Sequence, residues 1–183
     1  MGLTQSNSKA TPLFTLETER LTLRELTTDD VEFILRLLNE PSFLRFIGDK
    51  GVRNLEDARQ YILSGPVASY KKNGFGLYLV ALNPNTSIGM CGLIKRESLA
   101  DVDIGFAFLP EFWNKGYAFE SASAVFSYGK DVLKLPRIVA ITNKDNVTSG
   151  KLLEKLGLHF DRLIDLNGDG DETKLFVSDD LLK

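Results

Sequence analysis

The stretch from residue 101 to 142 constrains the fold more than any other part of the chain. Residues 101–108 alternate as a strand, the run Phe112-Trp113-Asn114-Lys115-Gly116-Tyr117-Ala118 turns, residues 116–132 carry helical spacing, and residues 137–142 return as a strand. A single helix between two strands points to a parallel pair if they are neighbours. That helix places Ala118, Ala122, Val125, Phe126 and Gly129 on one face, where small residues allow close packing on a sheet. Its N-terminus gathers unpaired N–H groups and the positive end of the helix dipole at one point. Gly116 admits backbone conformations that other residues resist, and Lys115 adds a full positive charge. A pyrophosphate would suit this turn.

Antiparallel signals surround that segment. Leu21 and Leu23 face one way on a first strand, Thr22 and Arg24 the other. Residues 27–30 offer caps and early carboxylates for a helix whose apolar stripe is Val31, Ile34, Leu35 and Leu38, and Pro41 prevents its continuation. A second helix starts at Asn54, with Asp57 three residues in, and ends before Asn73-Gly74. Strands at 77–82 and 88–95, joined by a turn at 83–86, lead into the strand at 101–108 as a meander. A short helix at 149–156 precedes strands at 159–166 and 173–177. With 183 residues and no dividing linker, the chain reads as a flexible tail, 1–14, and a single domain, 15–183.

Composition narrows the class. Hydrophobic residues make up 43% and charged residues 26%, as in ordinary globular proteins. No apolar run approaches the roughly 20 residues that cross a bilayer, and no signal-peptide pattern opens the chain. A lone cysteine, Cys91, suits a reducing cytosol. A net charge of −3 argues against a nucleic-acid-coating surface. These observations predict a cytoplasmic protein with no nucleic-acid or membrane partner. Gly2 with Ser6 fits a myristoylation pattern, and Asn85 and Asn146 open sequons; both lose to the cytosolic reading.

Four segments in order resemble the GNAT superfamily of N-acetyltransferases. The turn at Gly116 is similar to its acyl-CoA pyrophosphate loop. Asn146 with Ser149, followed by Leu152-Leu153-Glu154-Lys155-Leu156-Gly157-Leu158, is similar to its second cofactor segment. Glu19-Arg20-Leu21-Thr22-Leu23-Arg24, and Asn39-Glu40-Pro41 followed by Phe46-Ile47-Gly48-Asp49, resemble the RimJ/RimL branch that acetylates ribosomal-protein amino termini. Trp113 stands where the superfamily usually has Gln or Arg, an aromatic choice that fits this branch. The resemblance implies a mixed α/β fold: a central, mostly antiparallel sheet, helices on both faces and one splayed parallel strand pair. It also implies acetyl-CoA as cosubstrate and a primary amine as acceptor, a protein N-terminus first and a polyamine or small amine second. A CoA-binding sensor or scaffold without turnover is the reading from a different class.

On that resemblance the cofactor is held by Trp113, Asn114, Lys115, Gly116, Tyr117 and Ala118 at the turn. Backbone groups of Phe106, Ala107 and Phe108, after the mid-strand Gly105, would hold the pantetheine arm and polarise the thioester carbonyl. Gly105 itself fits either a bulge or a packing position. Asp103 is the candidate base, with Asp101 and Glu97 behind it. Leu153 stands where many members carry a Tyr acid, which leaves Ser149 and Asn146 as the polar groups near the sulfur. Ser149 reads equally as a helix cap. Tyr117 reads as a loop or core aromatic and His159 as packing. With one His and one Cys, no metal site is expected. Without a paired Ser or Cys nucleophile, direct transfer is favoured over a covalent enzyme intermediate. Magnitudes favour the acceptor with the lower pKa: an α-amine is about 10–20% neutral at pH 7, a lysine about 0.04%. Oligomeric state stays open, a homodimer included. Asp165-Leu166-Asn167-Gly168-Asp169-Gly170 imitates the front of a calcium loop, but Phe176 occupies the twelfth position, so a hairpin turn is expected.

Overall fold

The computed structural model describes residues 14–82, 86–166, 168 and 170–181. Eight strands and six helices alternate along these residues: β1 Thr15–Glu17, β2 Leu21–Glu25, α1 Val31–Leu38, α2 Pro41–Phe46, α3 Leu55–Ile62, α4 Ala68–Asn73, β3 Leu77–Leu82, β4 Thr86–Ile94, β5 Val102–Phe108, α5 Tyr117–Ser127, β6 Ile138–Asn143, α6 Val147–Lys155, β7 His159–Asp165 and β8 Glu172–Val177. They form one sheet in the order β1-β2-β3-β4-β5-β6-β8-β7. Every neighbouring pair is antiparallel except β5 and β6, where the single helix α5 crosses over and returns the chain in the same direction.

Alternation along the strands sends apolar side chains to both faces, and each face is covered separately. On one, Leu21, Leu23, Tyr78, Val80, Cys91, Leu93 and Ile104 pack against Ala122 and Val125 of α5 and Leu153 of α6. On the other, Leu79, Met90 and Ala107 meet Ile34, Leu37, Leu38, Phe43, Ala58 and Ile62 from the first helices. The mixed α/β architecture implied by the resemblance is the architecture observed.

Local signals act as expected at several ends. Asn54 caps α3 by accepting from the Asp57 N–H at 2.9 Å. Gly74 closes α4 in the left-handed region, φ +76. Asp30 and Thr27 complete a capping box before α1. Other features differ from expectation. The single helix expected after Asn54 is interrupted by a π-helical turn, Leu63–Val67, that accommodates Pro66. Gly105 carries no bulge: β4 and β5 keep register from Gly89–Phe108 to Ile94–Asp103, and the shifts lie at Val80/Ala81 and Phe160/Arg162 instead. A Cβ on Gly105 would stand 3.1 Å from Ile94 Cδ1, so its role there is packing. The expected tail lies outside the described residues up to 13; Phe14 is packed, its ring 4.7 Å from that of Tyr78. Gly2, Asn85, Asn167 and Asp169 also lie outside the described residues. Asp165 accepts from Gly168 N at 2.7 Å and Gly170 N at 2.9 Å, binding up the turn between β7 and β8.

The parallel pair positions the site. β5 and β6 are in register at only two rungs, Val102–Ile138 and Asp103–Val139. β6 stays paired with β8 out to Asn143 and β5 with β4 out to Phe108, so beyond Asp103 the two strands part.

Candidate active site

At the open end of that V, Pro110–Phe112 makes one 3₁₀ turn and the chain then reverses through Asn114, φ +59, and Gly116, φ +83. Gly116 is the N-cap of α5, with no side chain capping it. Among the described residues no partner meets the N–H groups of Lys115, Gly116, Tyr117, Ala118 or Phe119; the first helical bond runs from Glu120 N to Gly116 O, 3.0 Å. Five donors thus converge at a helix N-terminus, the arrangement that holds a phosphate oxygen. Trp113 anchors the turn, its indole N–H donating to Phe108 O at 2.8 Å. Lys115 folds back, with Nζ 2.8 Å from Glu111 O and 5.5 Å from the Phe112 ring.

The free edge of β5 follows from hydrogen-bond alternation. Leu109 N donates to Ile88 O, so odd-numbered residues of β5 turn their backbone groups toward β4 and even-numbered ones toward β6. The Ile104 C=O and the backbone groups of Phe106 and Phe108 therefore face the space where β6 has departed, Phe108 O being taken by Trp113, while the Ile104 N–H belongs to the last rung with Val139. Ala107, expected among them, has its backbone in the ladder with β4 and its side chain against the helical layer.

Asp103 closes the V. It is 1% exposed, not partly exposed as a surface strand would leave it. Arg96 Nε lies 3.1 and 3.2 Å from its two carboxylate oxygens. Burial raises the Asp103 pKa above the ordinary carboxylate range, opposed by the charge and hydrogen bond of Arg96. Tyr61 and Lys50 feel the same guanidinium. Burial pushes the Tyr61 phenol up to about 12, and desolvation, then Arg96, lower the otherwise exposed Lys50. Over the face shared by Asp103 and Val139 lies a cavity of about 340 Å³, lined by Ser98, Asp101, Arg137, Val139, Arg162 and Leu175 among others.

At the far strand, α6 begins two residues earlier than expected. Its cap is Asn146, whose side chain accepts from Ser149 N at 3.1 Å, so Ser149 is a first-turn residue and not the cap. Leu153 is 1% exposed in the core, where a hydroxyl would need a partner. His159 is no packing residue: its side chain is 60% exposed. Tyr117 lies under the Arg20 guanidinium, 4.7 Å from ring to Cζ.

The anion turn, the free edge of β5 and the N-terminus of α6 all lie at or toward the C-terminal ends of the parallel strands, with Asp103 at the apex. The strand rise of about 3.3 Å per residue sets Asp103 roughly 17 Å from Phe108. An elongated ligand can therefore reach from one to the other. Two residues were not visible as functional candidates in the sequence, Arg96 and Arg20. Arg96 reaches Asp103 across the β4–β5 connection and Arg20 reaches Lys115 and Glu120 only through the fold, and no local pattern announces either.

Residues 20–159 match the family model described as Acetyltransferase (GNAT) domain. The uncharacterized N-acetyltransferase YoaA of Bacillus subtilis is 33% identical over 145 residues, covering 78% of this chain and 81% of that protein. Among solved structures, a GNAT-family acetyltransferase from Bacillus anthracis superposes with a TM-score of 0.76 at 24% identity, covering 93% of this chain and all (100%) of that one. The ribosomal L7/L12 α-N-protein acetyltransferase RimL, solved in complex with coenzyme A, superposes with a TM-score of 0.74 at 16% identity, covering 93% and 100%. At these identities the two structures establish the fold.

Proposed function

The chain belongs to the GNAT acetyltransferase family, which makes it an acyltransferase that uses acetyl-CoA, and from that premise we propose that its acceptor is the α-amine of a protein N-terminus, acetylated by direct attack. The observation that carries this reading is the parting of β5 and β6 just beyond a buried carboxylate, Asp103.

Acetyl-CoA supplies an activated acyl carbon and a thiolate leaving group. The chain's own residues fit the rest. N–H groups from Asn114 to Ala118 hold the pyrophosphate. The free edge of β5, the Ile104 C=O and the backbone groups of Phe106, pairs with the pantetheine amides as a strand would, and a Phe106 or Phe108 N–H donates to the thioester oxygen as negative charge develops there. Asp103 takes the ammonium proton, directly or through one water, and the neutral amine then attacks the carbonyl carbon. Collapse of the tetrahedral adduct breaks the carbon–sulfur bond, and the remaining extra proton on the nitrogen passes to the departing thiolate or to water, leaving the amide and CoA. Asn146 and Ser149, at the entrance of α6, face the departing sulfur with polar groups. No acid stands at Leu153, so the thiolate leaves without a protein proton from that position.

Weak base assistance favours an acceptor that is already partly neutral. Asp103 shares its charge with Arg96, which lowers its basicity relative to a free buried carboxylate. The cavity beside Val139 has Asp101, Asp161 and Asp165 together with Arg137 and Arg162 on its wall, so it offers carboxylates to an ammonium and guanidinium groups to peptide carbonyls. The test is a panel of acceptors at neutral pH with acetyl-CoA. Peptide α-amines should exceed lysine side chains and spermidine at least about tenfold in kcat/KM, roughly 1.4 kcal/mol. Spermidine as the fastest acceptor overturns the choice of amine. Acetyl-CoA binding with no transfer to any amine favours the sensor reading.

A further inference from the structure

Arg20, in the turn between β1 and β2, is far from the anion turn in sequence and touches it at several points. Its Nη1 donates to Lys115 O at 3.0 Å. Its Nε and Nη2 meet Glu120 Oε2 at 2.7 and 2.6 Å, and its backbone N–H meets Glu120 Oε1 at 2.9 Å. Thr18 Oγ1 donates to that same oxygen at 2.6 Å. Burial works against the Glu120 charge, but the bonds from Thr18 and Arg20 more than offset it, so the carboxylate stays ionised. The guanidinium also lies over the Tyr117 ring, and a Cβ on Gly116 would stand 3.2 Å from its Nη2.

We propose that Arg20 is a positioning residue for cofactor binding, fixing the orientation of the Lys115–Gly116 peptide so that its N–H faces the pyrophosphate. The inference rests on the reading of this turn as the pyrophosphate site. A trans peptide points its C=O and N–H in opposite directions. Holding Lys115 O against Arg20 therefore turns the Gly116 N–H to the other side. Gly116 has a positive φ and no Cβ, so the peptide between Lys115 and Gly116 lacks the steric restraint of a helix or strand and can rotate. Rotation would present a carbonyl oxygen to an anion in place of a donor. Glu120 completes the device by holding the guanidinium in place, and Tyr117 supports its face. Arg20 itself need not touch the ligand; its charge is already matched by Glu120.

Arg20→Lys keeps the charge but cannot bridge Lys115 O and Glu120 with a planar fork. Arg20→Gln removes the charge and keeps some polarity. Two acetyl donors separate positioning from general damage: acetyl-CoA, and acetyl-pantetheine, which lacks the pyrophosphate. With either variant, kcat/KM for acetyl-CoA should fall at least about tenfold through KM, while that for acetyl-pantetheine changes less than about twofold. In parallel, the Gly116 amide resonance should shift on CoA addition in the wild type and much less in Arg20→Lys. Equal losses for the two donors would mean a merely structural role and overturn the inference. So would unchanged CoA affinity in a folded variant. A wild-type chain that binds no CoA would overturn the pyrophosphate reading itself, and this inference with it.

Discussion

Arg96 lays its Nε against both carboxylate oxygens of Asp103, at 3.1 and 3.2 Å, at the rung where the parallel strands last pair. The carboxylate is buried and the guanidinium a third exposed, so solvent reaches the pair from the arginine side. Burial raises the Asp103 pKa and Arg96 opposes it. The two effects set where a base at this position titrates.

The pH dependence follows with a definite sign. Asp103 must be ionised to accept a proton, so kcat/KM should fall as pH drops through a pKa above the ordinary carboxylate range. Removing the guanidinium in Arg96→Gln leaves burial unopposed and should move that acidic limb to higher pH. Asp103→Asn should lower kcat by about 10²-fold or more with little change in CoA affinity. An acidic limb that stays in place in Arg96→Gln, or moves down, would remove Asp103 from the mechanism.

A second prediction concerns stability. Arg24 donates to both oxygens of Asp30 at 2.7 and 2.9 Å, and Thr27 N adds a third bond at 2.8 Å. Burial disfavours the Asp30 charge, yet these bonds more than offset it and hold the pKa below the ordinary range. A depressed folded pKa contributes stability that is present above the unfolded pKa and lost as pH falls through the folded one. Asp30→Asn should cost about 2 kcal/mol at neutral pH, allowing for the partial exposure of Arg24, and should flatten the acid limb of the stability curve. Urea unfolding at several pH values reads both effects, and an acid limb as steep as in the wild type would contradict them.

The comparison of sequence with structure has a physical pattern. Features set by local chemistry were legible: the alternation of Leu21 and Leu23, the cap at Asn54, the stop at Gly74 and the turn at Gly116. The direction of β6 relative to β5 was legible too, because a single helix crossing between neighbouring strands returns the chain in the same direction, whereas the several helices between β2 and β3 leave that pair antiparallel. What was not legible depends on tertiary context. Thr15–Glu17 becomes a strand only because β2 pairs with it, and Asp103 is buried where it lies between β4 and β6 with Arg96 against it. Arg20 gives no local sign of its role, since Lys115 and Glu120 meet it only through the fold. His159 is exposed because β7 lies at the sheet edge.

Gly116 carries a third prediction. Its φ of +83 is strained for any side chain, and a Cβ would meet the Arg20 guanidinium at 3.2 Å. Gly116→Val should weaken CoA binding more than about tenfold by reshaping the donors, roughly 1.4 kcal/mol or more. Because the turn is at the surface and the core is untouched, thermal unfolding should stay cooperative. Unchanged CoA affinity in the folded variant would show that the pyrophosphate lies elsewhere. Gly92 is the contrast: a Cβ there would stand 2.1 Å from Gly76 O, backbone against backbone, so Gly92→Ala should damage the fold itself.

The last prediction uses Cys91 as a reporter. It is 0% exposed on β4, and burial pushes its thiol up to about 12, with a hydrogen bond to Ser121 opposing. A thiol reagent attacks through the thiolate, so the native protein should react slowly and only through opening of the sheet. Ligand binding then provides the check. If labelling requires global unfolding, acetyl-CoA at one hundred times its Kd should slow it about 100-fold, the linkage term of about 2.7 kcal/mol. Labelling that requires only local opening near α5 should slow less. Stoichiometric labelling within seconds in native buffer, unaffected by acetyl-CoA, would mean that β4 is accessible from solvent and that the core around Cys91 is not closed.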